Sequence, residues 1–194
     1  MGRKMAKTLY LMRHGETVFN VRKKIQGWCD SPLTPKGIEQ AQRASEYFNN
    51  VKLDHAYCST SERSADTLEI VTKRQLAYTR LKDLREMGFG AFEAESEALN
   101  PKSREVFQTF FVPYGGESTD QVQKRMVKVL TEIMQKPDHH NVLAVSHAGA
   151  CINFLSAWEN PAKLIKSRFT NCGILKFSYE DEVFKLEEVI QNTN

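Results

Sequence analysis

Two short segments of almost continuous apolar character restrict the fold of this chain most. They are TLYLM at residues 8–12 and NVLAVS at residues 141–146. A strand that is apolar at nearly every position is covered on both faces, which is typical of the parallel sheets of α/β proteins. Weaker strand candidates, HAYCST at 55–60 and LAYTRL at 76–81, alternate with longer segments of helical period. We therefore predict an α/β fold around a mostly parallel sheet, with NVLAVS near its centre.

The helices between these strands carry recognisable start and stop signals. Thr34 followed by Pro35 predicts the start of one helix, and a second helix is predicted at residues 61–73. Ser118 precedes a long segment of helical period, which Pro137 ends. These three segments are the predicted helical layers around the sheet.

One segment, residues 93–116, carries no firm periodicity. We predict a short helix there that ends near Val112, because the residue before Pro113 disfavours helical backbone. Its phenylalanines either pack in the core or line a cavity. A helix at 150–158 and a closing hairpin at 173–190 complete the prediction.

The composition is that of a globular protein and excludes several classes. The chain has 194 residues, of which 41% are hydrophobic and 26% charged, and no apolar run approaches the roughly 18 residues of a membrane span. The basic start MGRKMAK is followed by too short an apolar stretch for a secretory signal, and the four cysteines form no CxxC pair. The net charge of +3 is small, and no nucleic-acid-binding motif accompanies it. We expect a single cytoplasmic domain over residues 1–194, with neither a nucleic acid nor a membrane as partner.

Histidines follow both of the most strand-like segments. TLYLM runs into Arg13, His14 and Gly15, and NVLAVS runs into His147. In open α/β sheets, ligands bind at the carboxyl ends of the strands. Arg63 lies in the first turn of the helix after HAYCST, where its charge opposes the helix dipole unless an anion is bound nearby. The sequence therefore predicts an anion site at this edge of the sheet.

These residue types are suited to phosphoryl transfer. A neutral imidazole is a good nucleophile towards phosphorus, and guanidinium groups bind the phosphoryl oxygens. An alkoxide leaving group also needs a proton, and Glu86, in the loop after LKDLR, is the candidate acid by position. His55, His139 and His140 have no comparable placement and are assigned to the surface or to turns. No pattern of metal ligands is present, so we predict no catalytic metal.

Six motifs occur along the chain in a fixed order. LMRHGETVFN matches an RHGxT/SxxN signature, and QGWCDSPLTPKGIEQA, STSERSADT, LREMGFGAFE, GGES and VSHAG follow it. Together they resemble the blocks of the histidine phosphatase superfamily, the phosphoglycerate-mutase-like proteins. The resemblance runs from Thr8 to about Val189 and implies the family's three-layer α/β/α sandwich.

The resemblance implies a role for each matching position. His14 would be the nucleophile that becomes phosphohistidine, and Glu86 the proton donor that later activates water. Three residues would complete the phosphate pocket: Arg13, Arg63 and His147. Three more would bind the phosphoryl group or the substrate near the mouth: Asn20, Gln26 and Gly27. The family needs no metal, and we expect no cofactor.

The chain departs from the family after Glu93, where Ala94 stands in place of the usual glycine. We expect this replacement to alter the turn beneath the site.

The segment between Glu86 and His147 helps to distinguish a phosphatase from a mutase, the two activities that the resemblance implies. A mutase must retain a bisphosphorylated intermediate and exclude water, which requires a covering segment and additional cations. Here the segment is short, and the helix candidate within it, which ends near Val112, carries few cations, Lys102 and Arg104. We therefore predict a metal-independent phosphatase that acts on a small phosphorylated metabolite. The alternatives are a phosphoglycerate mutase and a non-catalytic phosphate-binding protein, and the sequence leaves a homodimer open.

Overall fold

The structure, a computed structural model, describes residues 6–192 and is built on one six-stranded sheet. Its strands are β1 (Lys7–Arg13), β2 (His55–Ser59), β3 (Tyr78–Leu81), β4 (Asn141–Ser146), β5 (Ile174–Glu180) and β6 (Val183–Ile190). The order across the sheet is β3-β2-β4-β1-β5-β6. The first four strands are parallel, β5 is antiparallel to β1, and β6 is antiparallel to β5. The predicted α/β fold, with NVLAVS inside a mostly parallel sheet, is confirmed. The basic N-terminal segment considered above falls mostly outside the described residues.

The strand register brings the two histidine-bearing strand ends together. Arg13, the last residue of β1, pairs with Ser146, the last residue of β4. The next residues, His14 and His147, therefore leave the same edge of the sheet side by side. On the other side of β4, β2 ends at the same edge, because Cys58 pairs with Val145.

Seven helices surround the sheet within the described part of the chain. They are α1 (Val18–Val21), α2 (Pro35–Tyr47), α3 (Glu62–Val71), α4 (Arg104–Phe107), α5 (Thr119–Gln135), α6 (Ala148–Leu155) and α7 (Ala162–Ser167). The predicted N-caps are confirmed: Thr34 accepts a hydrogen bond from the backbone of Gly37, and Ser118 forms a capping box with Gln121. Over residues 6–192, no helix is both long and apolar enough to cross a membrane.

The two faces of the sheet are covered by different helices. Successive side chains of a strand point to opposite faces. Leu9 and Leu11 accordingly belong to one buried cluster, with residues of α5 and α6, and Tyr10 and Met12 to another, with residues of α2 and α3. The result is the three-layer α/β/α sandwich that the family resemblance implied.

Residues 93–116 form a covering segment of short turns rather than one helix. The predicted short helix is present as α4, but it ends at Phe107 instead of near Val112, and a separate 3-10 turn follows at Val112–Tyr114. Phe111 is fully buried at the centre of an aromatic cluster that includes Phe89 and Phe92. Of the two readings of these phenylalanines, core packing is the correct one for Phe111.

Ala94 begins this segment in a backbone conformation that disfavours it. Its φ is +65°, in the left-handed region, where a Cβ atom meets the backbone. Its amide nitrogen donates to the carbonyl oxygen of Ile25 at 2.9 Å, so the turn is tied to the loop before the site. The expected effect of replacing the family's glycine is therefore backbone strain within an intact turn.

We predict that Ala94→Gly stabilises the protein. Relief of left-handed strain outweighs the greater freedom that glycine has in the unfolded chain, for a net gain of about 0.5–1 kcal/mol. The measurement is the free energy of unfolding in urea. Ala98→Gly in the neighbouring turn, at a residue without positive φ, is the control and should lower stability by about 0.5 kcal/mol. Loss of stability in both variants would contradict the strain at Ala94.

Candidate active site

The candidate site lies at the carboxyl ends of β1, β2 and β4, and its first member is His14. The side chain of His14 is 5% exposed, and its Nδ1 lies 2.7 Å from the carbonyl oxygen of Gly15. Since a carbonyl oxygen can only accept, Nδ1 carries the proton and Nε2 keeps its lone pair. Burial lowers the pKa of His14 well below its ordinary value, and the charges of Arg63 and Arg13 act in the same direction. His14 is thus a neutral imidazole with an unprotonated Nε2 at neutral pH.

The second histidine is adjacent to the first, with ring centroids 5.1 Å apart. Nη2 of Arg63 donates to Nδ1 of His147 at 3.0 Å, so Nε2 carries the proton and donates to Oγ of Ser59 at 2.8 Å. Burial, followed by the charge of Arg63, holds the pKa of His147 well below its ordinary value. Both nitrogens of His147 are therefore engaged with protein groups, and a direct bond to a phosphoryl group requires one of these bonds to be exchanged.

Arg63 does not project freely into a pocket, as a phosphate-gripping side chain would. It is fully buried, and its Nη1 donates to the carbonyl of Cys29 at 2.9 Å and to the carboxylate of Asp30 at 2.8 Å. Its Nη2 donates to the carbonyl of Gly27 at 2.8 Å as well as to His147. Arg63 thus fixes the loop that leads from Gln26 to Asp30 against the second histidine. Sequence reasoning missed Asp30, because its pairing with Arg63 depends on tertiary structure alone.

The amide of Gln26 joins the same arrangement. With its oxygen towards Arg63, it accepts from Nη1 at 3.2 Å and from Nε at 3.1 Å, and its nitrogen donates to Oγ1 of Thr17 at 2.8 Å. This orientation satisfies both ends of the amide. Gln26 therefore links the loop after β1 to the Arg63 side chain.

A cavity of about 160 Å³ opens above His14. Five of the eight predicted site residues line it: Arg13, His14, Asn20, Gln26 and Glu86. The other three, Arg63, His147 and Gly27, are not among the residues that line it. Lys24, Glu97 and Asn100 also line the cavity and were not predicted, since they belong to loops whose path the sequence does not determine.

Two polar atoms in this lining lack hydrogen-bond partners although they are buried. They are Nε of Arg13 and Oδ1 of Asn100. Buried polar groups without partners are rare in folded proteins and call for an explanation. An anion bound above His14 would give the Arg13 nitrogen an acceptor, and Asn100 is left able to accept from a hydroxyl or ammonium group.

Asn20 is held by its oxygen and leaves its nitrogen available. Its Oδ1 accepts from the backbone of Thr17 at 3.1 Å and from Nδ2 of Asn171 at 3.2 Å. Among the hydrogen bonds of the described residues, Nδ2 of Asn20 takes part in none. The amide can therefore donate into the cavity.

The carboxylate of Glu86 is hydrogen-bonded to the first turn of α6. Its oxygens accept from the backbone nitrogens of Met87 at 2.9 Å, Gly149 at 2.9 Å and Ala150 at 2.8 Å. A Cβ atom at residue 149 would lie 2.6 Å from the Glu86 carboxylate, so any residue other than glycine would displace that carboxylate. The close backbone approach at this glycine therefore serves Glu86.

A second carboxylate, Glu93, organises the mouth of the site. Its oxygens accept from the backbone nitrogens of Gly27 at 3.1 Å, Trp28 at 2.9 Å, Cys29 at 3.0 Å and Phe89 at 3.0 Å. Burial opposes ionisation of Glu93, but the hydrogen bonds from Cys29 and from the backbone outweigh it and hold the pKa below its usual value. Sequence reasoning used Glu93 only as a motif position, because backbone donors leave no sequence signal.

The remaining histidines lie elsewhere. Of the two places expected for them, surface or turn, His139 takes the turn, since its nitrogen donates to the carbonyl of Lys136 at 3.2 Å, but it is buried. Its ring stacks on that of His55 at 3.6 Å, and its Nε2 lies 2.6 Å from the hydroxyl of Tyr57. Asp138 lies 3.0 Å from His55 and 2.8 Å from His139. Two nearly parallel stacked rings cannot direct their in-plane lone pairs at one ion, so we assign no metal to this group. His140 is exposed, as expected.

Comparisons with known proteins agree with this architecture. Residues 9–192 match the family model of the histidine phosphatase superfamily (branch 1). The chain is 32% identical over 183 residues to the probable phosphoglycerate mutase GpmB of Proteus mirabilis (strain HI4320), which covers 89% of this chain and 85% of that protein. It is 32% identical over 149 residues, 73% of each chain, to the adenosylcobalamin/alpha-ribazole phosphatase of Escherichia coli (strain K12). The structure of Bacillus stearothermophilus YhfR is similar with a TM-score of 0.81, 30% identity, and coverage of 92% of this chain and 94% of that one.

Fold and site together define an α/β protein with paired histidines and arginines at the carboxyl ends of its central strands. The chain belongs to the histidine phosphatase superfamily, branch 1. Because its relatives carry the names of both a phosphatase and a probable mutase, membership alone does not decide between these activities.

We predict that Glu93→Gln destabilises the protein in a pH-dependent way. The folded-state pKa of Glu93 is lowered, so its ionised form contributes stability that is complete above the unfolded value of 4.5. This contribution shrinks as the pH falls below that value and is gone once the pH passes below the lowered folded value. The measurement is the difference in unfolding free energy between wild type and variant at pH 7 and at successively lower pH.

Glu95→Gln is the matched control, because Glu95 is exposed and lies two residues away. It should change stability little at any pH. A wild-type-to-Glu93→Gln difference that stays constant through the acid range would contradict an ionised Glu93 as the anchor of residues 27–29.

Proposed function

We propose that this protein is a phosphatase that hydrolyses small phosphomonoesters through a phosphohistidine on His14, with Glu86 as general acid and base. The observation that carries the proposal is the neutral, Nε2-unprotonated state of His14 beneath a small cavity that Arg13, Asn20 and Glu86 also line. A nucleophile, a cationic donor and a carboxyl group are the parts that phosphoryl transfer to an enzyme side chain requires.

The first half of the proposed reaction forms the phosphoenzyme. Nε2 of His14 attacks phosphorus while the bond to the leaving oxygen breaks, and Glu86 gives its proton to that oxygen, so the alcohol departs neutral. The unpartnered Nε of Arg13 and the free amide of Asn20 donate to the phosphoryl oxygens. Donors placed in advance stabilise the charge that spreads over these oxygens in the transition state.

The second half returns the enzyme to its starting state. The ionised Glu86 takes a proton from water as the water oxygen attacks phosphorus, and the bond from phosphorus to Nε2 breaks. Inorganic phosphate leaves, and His14 regains its lone pair while Nδ1 keeps its proton on the Gly15 carbonyl. No other group is consumed.

The charges around the cavity favour a phosphatase over a mutase. In the described lining, the cations Arg13 and Lys24 are balanced by the carboxylates Glu86 and Glu97. A mutase intermediate with two phosphates needs a clear cationic excess. Lys102 and Arg104 line a separate cavity of about 600 Å³, which extends to Gly149, one of the residues that bind the Glu86 carboxylate. These two cations keep phosphoglycerate mutase as the alternative function.

A non-catalytic phosphate-binding protein is the third reading of this site. It would not require a nucleophile and an acid in reach of one cavity. His14 and Glu86 both line the cavity above the strand ends, which favours catalysis.

We predict release of phosphate from several phosphomonoesters, including 3-phosphoglycerate, in the presence of EDTA, and no mutase turnover in a coupled assay. His14→Ala should abolish release while circular dichroism stays that of the wild type, because no other histidine belongs to the described lining of the cavity. Mutase turnover with little hydrolysis would establish the alternative function. Binding of phosphate without turnover of either kind would establish the non-catalytic one, and dependence on added metal would overturn the metal-free reaction.

We also predict that Glu86→Gln discriminates between leaving groups. For glycerol 3-phosphate, whose alkoxide must be protonated, kcat/KM should fall by about 100-fold or more. For p-nitrophenyl phosphate, whose leaving group is stable as an anion, the loss should be much smaller. The parameter kcat/KM is used because it reports the steps up to phosphoenzyme formation. Equal losses for both esters would contradict an acid role for Glu86.

A further inference from the structure

We propose that Arg125 is a positioning residue for Glu86, and that Glu117 orients Arg125 for this task. The inference rests on the proposed role of Glu86 as proton donor. Neither Arg125 nor Glu117 lines the cavity above His14. They act on the backbone that carries the acid.

Arg125, on α5, binds three carbonyl oxygens of the segment that leads to Glu86. Nη1 donates to the carbonyls of Asp83 and Arg85, both at 2.8 Å, and Nη2 donates to the carbonyl of Glu86 at 2.9 Å. This segment leaves the short turn at Lys82–Leu84 and belongs to no strand. Arg125 therefore supplies hydrogen bonds that a sheet would otherwise provide.

Glu117 holds the guanidinium in the orientation that these bonds require. Its Oε1 accepts from Nε of Arg125 and its Oε2 from Nη2, both at 2.8 Å, which is a bidentate pair. Glu117 also fixes the far side of the loop, since Oε2 accepts from the nitrogen of Gly88 at 2.9 Å and its own nitrogen donates to the Gly88 carbonyl at 2.8 Å. The two side chains are only 15% and 16% exposed. Arg125 thus binds the start and middle of the segment 83–88, and Glu117 binds its end.

The position of the Glu86 carboxylate then depends on two rigid helices. Its backbone is fixed to α5 through Arg125, and its oxygens are fixed to the first turn of α6 through Gly149 and Ala150. His14 is fixed by the end of β1. A displacement of about 1 Å between reacting groups can cost on the order of 100-fold in rate. Loss of the hydrogen bonds between Arg125 and this backbone should therefore impair proton transfer from Glu86 more than nucleophilic attack by His14.

A lysine cannot replace Arg125 in this role. Its ammonium keeps the charge and can donate to one or two carbonyls. It lacks the planar guanidinium that forms a bidentate pair with Glu117 and donates to three carbonyls at the same time. Arg125→Lys is therefore the informative variant, because it removes the geometry and preserves the charge near Glu86. Arg80→Lys is the matched control: Arg80 forms a bidentate pair with Glu62 at the surface and, among the hydrogen bonds and ion pairs of the described residues, makes none with residues 83–88.

The test compares kcat/KM for glycerol 3-phosphate and for p-nitrophenyl phosphate in wild type, Arg125→Lys, Glu86→Gln and the double variant, with thermal unfolding to establish that each is folded. We expect Arg125→Lys to lower kcat/KM for the alkyl ester on the order of 10-fold to 100-fold, and for the aryl ester several times less. In the Glu86→Gln background, Arg125→Lys should cause little further loss, since both changes remove the same proton transfer. Arg80→Lys should resemble the wild type.

Other results would overturn the inference. If Arg125→Lys lowers kcat/KM equally for both esters, Arg125 stabilises the fold in general and does not position Glu86. The same conclusion follows if the fold-losses of the two single variants multiply in the double variant. If Arg125→Lys does not fold, Glu117→Gln, which weakens the orienting pair and leaves the arginine in place, is measured against the same criteria. If Glu86→Gln itself shows no dependence on the leaving group, the proposed role of Glu86 fails first, and that outcome is distinct from failure at Arg125 alone.

Discussion

The buried charge of Arg63 is the constraint on which the rest of the site depends. A guanidinium with no exposed surface is stable only if each donor finds an acceptor. Those acceptors come from the loop at residues 26–30 and from His147, so one side chain joins the helix after β2, the loop after β1 and the end of β4. The same donor determines which nitrogen of His147 carries its proton. Arg63 therefore sets both the shape of the mouth and the chemistry of its neighbour.

A second feature of the site is that carboxylates are held by backbone nitrogens rather than by cations. Glu93 and Glu86 together accept from seven backbone N–H groups. Such bonds fix a loop without drawing Arg13 or Lys24 into an ion pair with either carboxylate. The loops around the cavity are thereby anchored by hydrogen bonds although they contain little regular structure.

The sequence predicts the parts of this arrangement that depend on strands. The apolar runs before His14 and His147 identify buried parallel strands, and the register of such strands brings their ends together, so both histidines were found. The contacts of Arg63 could not be predicted, because its acceptors are backbone carbonyls and a distant aspartate. Asn100 enters the cavity from a segment without periodicity, and His139 is buried by a stacking partner far away in the chain. In each case the missing information is a tertiary contact that leaves no local pattern.

The backbone hydrogen bonds to the Glu86 carboxylate explain how one carboxyl group can serve both halves of the proposed cycle. The backbone nitrogens of Met87, Gly149 and Ala150 hold its two oxygens in place. In the first half the carboxyl group gives its proton to the leaving oxygen, so the alcohol departs neutral and the phosphoryl group stays on His14. In the second half the carboxylate that this step leaves behind takes a proton from the attacking water. Each half therefore leaves Glu86 in the protonation state that the other half needs, and the alternation between acid and base requires no change in the position of the group.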